Sequence, residues 1–273
     1  MKALQQLQQK YGSGEGRALY ELILRQRFGL SRTDILLGKG TILSAKNNEE
    51  LQIIVDRVAK GEPVQYVLGY EEFCGRMFRV GPGVLIPRPE TQGLVRLVEQ
   101  NVAPGSTILD IGTGSGCIAV TLALAGYKVK AIDVSDDALD IARQNAERLG
   151  AEVEFEKQDI FQGSRFDVQW NTIVSNPPYI CESEASTMDV NVLDHEPHLA
   201  LFVPDDDPLL FYKAISEFGR EHLAGGGQIF LEVNRAYAVQ VKELLQQKRY
   251  GEVQVVRDDY DNDRYVWARK IQD

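Results

Sequence analysis

The first quarter of the chain carries apolar residues at helical spacing, in stripes that stop often. The stripe from 51 to 58 predicts a helix, which Asn47 or Asn48 caps at its start and Gly61 ends. Shorter stripes before and after it have the same period. These features predict a small helical domain over residues 1–69.

After residue 69, the spacing of the apolar residues shortens from the helical period to the two-residue period of strands. Phe73 and Phe78 flank Gly75, and the stretch from Tyr70 to Ile86 is typical of a β-hairpin. We expect this hairpin, residues 70–86, to link the helical domain to a second domain.

Strand-like and helix-like stretches alternate over residues 87–273, which favours an α/β fold with a mostly parallel sheet. Between its second and third strands, Ser135 is positioned to cap a helix and Gly150 to end it. No helix separates the last two strands, so we expect a terminal antiparallel hairpin. The predicted strands span 107–111, 128–132, 153–157, 172–174, 228–233, 253–256 and 265–268.

Composition limits the function classes. Of 273 residues, 26% are charged and 44% hydrophobic, and the net charge is -10 without a block of Lys and Arg. Affinity for nucleic-acid phosphates needs clustered cations, so this balance disfavours a direct nucleic-acid partner. A local basic groove is still compatible with it.

We expect a cytoplasmic protein with no membrane partner, because the chain has neither a signal-like apolar core nor a run of roughly 18 apolar residues. The three cysteines follow no C-x-x-C spacing and are predicted to be free thiols. His195 and His198 lack a third ligand nearby, so no metal site is expected.

A glycine-rich turn follows the first strand of the sheet. It runs Asp110-Ile111-Gly112-Thr113-Gly114-Ser115-Gly116. A tight strand-to-helix turn needs one glycine, whereas three alternating glycines favour close passage of the backbone beneath a nucleoside-type ligand. The G-x-G-x-G spacing differs from that of pyrophosphate-binding turns, and Asp110 suits a cationic group. We therefore expect S-adenosylmethionine, held by Asp110, Gly112, Thr113, Gly114, Ser115 and Gly116, rather than NAD.

Two further strand ends carry acids. Asp133 stands about 20 residues after the glycine turn, where an acid can bind both ribose hydroxyls. Asp159 is predicted to accept the adenine amino group and Ile160 to cover the ring. A surface aspartate is the simpler interpretation of Asp159 alone, but its register with the other strand ends favours a ligand role.

The fourth strand ends in Ser175-Asn176-Pro177-Pro178-Tyr179. Prolines stiffen the loop, Asn176 offers a carbonyl acceptor and Tyr179 a ring face, so the stretch is suited to holding a planar nitrogen.

These motifs resemble class I S-adenosylmethionine-dependent methyltransferases that act on planar nitrogens, and the flanking sequence resembles the PrmC/HemK family. The segments that carry the narrower resemblance are Pro63–Gly69, the hairpin around Phe73 and Phe78, Val84–Thr91, Glu196–Leu201 and Asp263-Arg264. Two departures, Cys74 in the hairpin and Gln92 after Pro-Arg-Pro-Glu-Thr, leave the hairpin packing and the substrate fit open.

The resemblance implies a Rossmann-like seven-stranded domain preceded by a helical substrate-recognition domain. It also implies methyl transfer to the Gly-Gly-Gln glutamine of peptide chain release factors, with S-adenosyl-L-homocysteine as product. We expect Asn176, Pro177 and Tyr179 to be catalytic. These three residues and Pro178 are expected to bind the substrate, and Asn176 is also expected to contact the cofactor. The carbonyls of Asn176 and Pro177 would accept the two amide hydrogens. We expect a monomer, and we take the chain's own Gly226-Gly227-Gln228 as a turn entering a strand, not a substrate.

Three other functions compete with this one. A nucleic-acid amino-group methyltransferase would need phosphate contacts to flip out a base, which the acidic balance disfavours. A catalytically silent S-adenosylmethionine-binding scaffold would not need the Asn-Pro-Pro-Tyr stretch. A nicotinamide oxidoreductase is disfavoured by the glycine spacing.

Overall fold

The computed structural model describes residues 2–39, 43–162 and 166–272. The chain divides into two units, Met1–Tyr70 with Asp189–His195, and Glu71–Met188 with Glu196–Asp273. The boundaries that we predict at residues 69 and 86 remain predictions.

The described residues of the first unit form six α-helices: α1 (Lys2–Tyr11), α2 (Ser13–Phe28), α3 (Arg32–Leu36), α4 (Ala45–Ala59), α5 (Val64–Leu68) and α9 (Val190–His195). Its core contains Leu7, Ile23 and Leu24, none of them exposed to solvent, together with Val55 and Val58 of α4.

The predicted cap of α4 is wrong by three to four residues. Ser44 is the N-cap, and its side chain accepts a hydrogen bond from Asn47 N at 3.2 Å. Serine and asparagine are comparable helix caps, so the residue type alone does not choose between them. Asn48 instead donates to the carbonyls of Leu43 and Ser44.

The predicted hairpin consists of β1 (Tyr70–Phe73) and β2 (Arg76–Arg79), which form a two-stranded sheet. Cys74 and Gly75 connect them with φ values of 48° and 70°, the sign that a type I′ turn requires at both positions. Phe73 and Phe78 meet edge to face in the core of the second unit.

A seven-stranded sheet in the order β10-β11-β9-β6-β3-β4-β5 organises the second unit. Its strands are β3 (Thr107–Ile111), β4 (Lys128–Asp133), β5 (Val153–Lys157), β6 (Trp170–Ser175), β9 (Leu223–Glu232), β10 (Tyr250–Arg257) and β11 (Asp263–Lys270). Neighbours pair in parallel from β9 to β5, and β11 pairs antiparallel with both β9 and β10. The predicted sheet and terminal hairpin are thus confirmed.

The helices of this unit are α6 (Thr91–Asn101), α7 (Cys117–Leu124), α8 (Asp136–Leu149), α10 (Leu210–His222) and α11 (Ala238–Gln247). Residues of α6, α7 and α8 contribute to one core cluster, and residues of α10 and α11 to the other. Ser135 caps α8 as predicted, and Gly150 ends it in the left-handed conformation. A separate pair, β7 (Ile180–Cys181) and β8 (Phe202–Val203), lies beyond β6.

Three short features complete the description. Cys74, Cys117 and Cys181 are free thiols, as predicted. Within the described ranges, no helix is long and apolar enough to cross a membrane. The described side chains include no group of three or more His, Cys, Asp or Glu arranged to hold a metal ion.

Two glycines of α2 provide a matched test of the first unit. A Cβ at Gly16 would lie 2.6 Å from backbone atoms of Gln8, whereas a Cβ at Gly14 would have nothing within 4 Å. We expect Gly16→Ala to lower the free energy of unfolding by about 1–3 kcal/mol through overpacking. Gly14→Ala should raise it by up to about 1 kcal/mol.

Urea denaturation of the two variants checks this. Equal stability of Gly16→Ala and the wild type would contradict the close approach of α1 to α2.

Candidate active site

The predicted site residues meet at one edge of the sheet, because parallel strands end on the same side. Ile111 pairs with Ile132 on β4 and with Ser175 on β6, and Asp133 pairs with Lys157 on β5. The structure therefore brings together the glycine turn, Asp133 and Asn176, with Asp159 two residues beyond the end of β5.

The glycine turn is held by backbone hydrogen bonds to β4. Gly112 N and Thr113 N both donate to Ile132 O, at 2.9 and 3.1 Å. Gly112 and Gly114 have φ values of 73° and 54°, and a Cβ on either would have nothing within 4 Å. The positive φ values explain why glycine stands at both positions, and the absence of side chains leaves open space above the turn.

Gly116 has a different role. Its φ is 78°, and a Cβ there would lie 3.0 Å from the Ala142 Cβ on α8. This glycine therefore lets α7 begin directly against its neighbouring helix.

Asp110 is fully buried beneath the turn. Thr113 donates to its Oδ2 at 2.7 Å, and its Oδ1 has no partner among the described residues. Burial raises the pKa of Asp110 to about 7, and the nearby Asp133 charge adds to the rise. A buried carboxyl with an unused acceptor fits the cationic amino group of the ligand that the sequence predicts.

The Asp133 side chain accepts hydrogen bonds from two backbone amides at the edge of the sheet. Its Oδ2 accepts from Gly114 N at 2.9 Å, and its Oδ1 from Ser135 N at 3.0 Å. Burial is the main cause that raises the pKa of this carboxyl. Each oxygen retains a lone pair, so the predicted ribose contact stays compatible with the geometry.

Asp159 and Ile160 lie in a turn. Asp159 accepts hydrogen bonds from Phe161 N and from the Gln162 side chain. Ile160 is half-buried and packs against the second core cluster. Their assignment to the adenine ring remains a prediction, since the turn itself already explains the acid.

The Asn176 side chain has a defined orientation. Its Nδ2 donates to Thr91 Oγ1 at 3.2 Å, and no described residue donates to its Oδ1. Ser175 Oγ, one residue earlier, donates to Ile111 O at 2.7 Å and ties the loop to β3. The Asn176 carbonyl is thus available as an acceptor, as the predicted amide contact requires.

Tyr179 is anchored at both ends. Its hydroxyl donates to Glu232 Oε1 at 3.2 Å, and its carbonyl accepts from Asn234 Nδ2 at 3.2 Å. Burial and the Glu232 charge raise the pKa of Tyr179. Of the two prolines that precede Tyr179, Pro177 is buried and Pro178 is half-buried.

Three polar residues for which no function is predicted from the sequence hold this site: Thr91, Asn145 and Glu232. Asn145 is fully buried, and it exchanges two hydrogen bonds with the Arg79 backbone and donates a third to Ser115 O. An amide on an otherwise apolar stripe was the available signal for it.

Arg88 forms an ion pair with Glu196. Glu196 is 3% exposed and also accepts from Ile86 N at 3.0 Å. These two contacts compensate the buried carboxylate.

Comparisons with known proteins identify the family of the chain. Residues 1–69 match the PrmC N-terminal domain and residues 89–195 the methyltransferase small domain. The chain is 48% identical over 273 residues to the release factor glutamine methyltransferase of Bacteroides thetaiotaomicron, covering 97% of each. The corresponding protein of Flavobacterium psychrophilum is 37% identical, with 96% of this chain and 95% of that one covered.

A solved methyltransferase structure from Pyrococcus furiosus superposes with a TM-score of 0.55 at 18% identity, over 82% of this chain and 98% of that one. This likeness confirms the predicted fold class.

Asn145 gives a testable prediction for the framework of the site. Asn145→Ala leaves the partly buried Arg79 N–H and the buried Ser115 carbonyl unpaired, so the free energy of unfolding should fall by at least about 2 kcal/mol. The neighbouring Gln144 is exposed, and Gln144→Ala should change it by less than about 0.5 kcal/mol. Urea denaturation measures both, and similar values for the two variants would contradict the bridging role.

Proposed function

The chain belongs to the PrmC family of release factor glutamine methyltransferases, and we propose that it methylates the side-chain amide of the glutamine in the Gly-Gly-Gln motif of peptide chain release factors. The methyl donor is S-adenosyl-L-methionine, and the product is S-adenosyl-L-homocysteine. The observation that carries the proposal is the hydrogen bond from Asn176 Nδ2 to Thr91 Oγ1, which leaves the Asn176 carbonyl oxygen as the acceptor for a substrate amide.

The residues at the sheet edge fit the methyl donor. The unpartnered Oδ1 of Asp110 would hold its amino group, and the open glycine turn, Gly112 to Gly116, would face it. Asp133 would bind the ribose hydroxyls, while Asp159 and Ile160 would contact the adenine. When bound, S-adenosylmethionine supplies an electrophilic methyl group on a sulfonium.

The chain's own residues act on the glutamine. An amide nitrogen is a weak nucleophile, because its lone pair is delocalised into the carbonyl. The Asn176 side-chain carbonyl and the Pro177 backbone carbonyl accept its two hydrogens, which orients the nitrogen and stabilises the positive charge that develops on it. Tyr179 packs against the amide plane, with Pro178 beside it. No general base is required before transfer.

The rest of the chain has supporting roles in this proposal. Residues 1–69 form the substrate-recognition domain, residues 70–86 the linker, and residues 87–273 the methyltransferase domain. The protein acts as a cytoplasmic monomer without a nucleic-acid partner. Its own Gln228 is not a substrate, since the residue is 6% exposed and lies in β9, where it pairs with Thr172 and Arg269.

The test of this function is incubation with methyl-labelled S-adenosylmethionine and a release factor, beside a release factor in which the Gly-Gly-Gln glutamine is replaced. We expect label on the first protein and none on the second. Equal labelling of both would contradict the assignment.

Asn176 provides the catalytic prediction. Asn176→Ala removes one acceptor for the amide hydrogens, so kcat should fall about 100-fold or more, as when one preorganised polar contact is lost. The affinity for S-adenosylmethionine should change much less. Steady-state kinetics and equilibrium binding measure the two quantities, and a variant with wild-type kcat would refute the role.

Asp110 provides a pH prediction. Its pKa of about 7 lies above the ordinary value, so the unliganded carboxyl becomes charged only as the pH rises through 7. The affinity for the cationic ligand should therefore rise roughly fivefold from pH 6 to pH 7. Titration calorimetry should show a flat profile for Asp110→Asn over this range, and a flat wild-type profile would contradict the prediction.

A further inference from the structure

Asn234 is a buried amide that the proposed chemistry does not use. It lies two residues beyond the end of β9, with 8% of its surface exposed. A primary amide offers two donor hydrogens and a carbonyl acceptor, and buried polar groups of this kind are paired in folded proteins. The partners of Asn234 therefore show what its side chain holds in place.

Three neighbours define the orientation of the Asn234 amide. Its Oδ1 accepts from Ala236 N at 3.0 Å, and a backbone N–H can only donate, so the oxygen must face Ala236. Its Nδ2 donates to Tyr179 O at 3.2 Å and to the Glu184 carboxylate, with Oε1 at 3.1 Å and Oε2 at 3.3 Å. One hydrogen of the amide thus serves the Asn-Pro-Pro-Tyr loop, and the other serves Glu184.

Glu184 extends this contact to the backbone that follows Tyr179. Its Oε1 also accepts from Cys181 N at 2.9 Å, and Cys181 is the N-cap of a short 3-10 helix, Glu182–Thr187. The Asn234 amide thus holds the chain directly at residue 179 and, through Glu184, at residue 181.

The end of β9 fixes Tyr179 at two atoms. The Tyr179 hydroxyl donates to Glu232 Oε1, and the Tyr179 carbonyl accepts from Asn234. A tyrosine that is bound only at its hydroxyl can still tilt its ring, because its backbone is free to move. A second bond at the carbonyl removes that freedom. Misplacement of a group that positions the substrate by about 1 Å can cost on the order of 100-fold in rate.

We infer that Asn234 is a positioning residue for methyl transfer. By donating to the Tyr179 carbonyl, it keeps the tyrosine ring at the place where the ring packs against the substrate amide. The inference rests on the proposed function, because that function places Tyr179 against the glutamine amide. Asn234 acts through Tyr179 and needs no contact of its own with the substrate or the methyl donor.

The two partners of Nδ2 distinguish an amide from a carboxylate at this position. Asn234→Asp keeps the shape, but both of its side-chain oxygens are acceptors, and one of them would face the Tyr179 carbonyl and the charged Glu184. Like charges at this distance repel, so both contacts should be lost. Glu184→Gln should keep the Tyr179 contact, because its Oε1 can still accept from Asn234 and from Cys181 N.

The first experiment measures kcat of these variants at saturating substrates and about pH 8, where carboxyl groups of ordinary pKa are charged. Asn234→Asp should lower kcat at least about tenfold, with a dissociation constant for S-adenosylmethionine within about twofold of the wild type. Glu184→Gln should keep kcat within about threefold. The matched control is Asn101→Asp, which removes an amide donor to Leu97 O at 2.8 Å at the end of α6 opposite Thr91; its kcat should stay within about twofold.

The second experiment separates positioning from stability. The double variant Asn234→Asp with Glu184→Gln restores a hydrogen bond between the two side chains, because the glutamine amide donates to the aspartate. It leaves the Tyr179 carbonyl without its donor. Urea denaturation should therefore show stability regained relative to Asn234→Asp, whereas kcat should stay at least about fivefold below the wild type.

Three outcomes would overturn the inference. The first is a smaller fall in the kcat of Asn234→Asp, or an equal fall in Asn101→Asp. The second is a double variant whose kcat recovers to within about fivefold of the wild type, since activity would then follow stability alone. The third is a loss in Glu184→Gln as large as that in Asn234→Asp, because the effect would then belong to the Glu184 charge.

A readout without catalysis separates this inference from the proposed function. The NMR signals of a ¹³C-labelled Tyr179 ring should shift in Asn234→Asp and in the double variant, and should shift much less in Glu184→Gln. If the ring signals behave in this way but the wild type methylates no release factor, the proposed function fails and the coupling of Asn234 to Tyr179 stands. If the wild type methylates the release factor and Asn234→Asp does so at the same rate, the proposed function stands and the inference fails.

Discussion

The register between β3 and its two parallel neighbours is the constraint on which the site depends. Ile111 lies opposite both Ile132 and Ser175, so the glycine turn, Asp133 and Asn176 all leave the sheet at one level. A slip by one residue would move Asp110 to the other face of the sheet, away from Thr113, and would part Asn176 from Thr91. Side chains on both faces of the sheet resist that slip, because Ile108 and Leu109 are fully buried in opposite core clusters.

Two buried carboxyls give this edge its electrostatic character. Asp110 lies below the glycine turn and Glu232 at the end of β9, and burial raises the pKa of each to about 7. A buried charge is unfavourable until a partner compensates it. In the proposed function a cationic ligand compensates Asp110, whereas the Tyr179 hydroxyl and the Arg264 charge compensate Glu232. Ligand binding and the anchoring of the Asn-Pro-Pro-Tyr loop thus each depend on a buried acid.

The features that follow from local chain chemistry could be predicted from the sequence. Ser135 and Gly150 bound α8 as expected, because capping depends on residues a few positions apart. The glycine turn and the Asn-Pro-Pro-Tyr loop were recognisable because their backbone conformations admit few residue types. The strands were found from their apolar runs, although β9 begins five residues before its predicted start, at Leu223, where glycines weaken the strand signal.

Contacts between distant segments escaped the sequence analysis. Arg88 pairs with Glu196 across more than 100 residues, and Asn176 with Thr91 across 85. No periodicity encodes such pairs, since they depend on which loops the sheet topology brings together. Glu232 was hidden for the same reason, because its hydrogen bond to Tyr179 spans 53 residues.

The central claim is that the Asn176 carbonyl, not its amino group, meets the substrate amide. The most direct measurement is a crystal structure with S-adenosyl-L-homocysteine and a Gly-Gly-Gln peptide, at a resolution of about 1.2 Å or better so that the amide atoms can be told apart. The account predicts Asn176 Oδ1 within hydrogen-bond distance of the glutamine nitrogen, with Nδ2 still on Thr91. A complex in which Nδ2 faces the glutamine, or in which the glutamine nitrogen contacts neither Asn176 nor the Pro177 carbonyl, would contradict it.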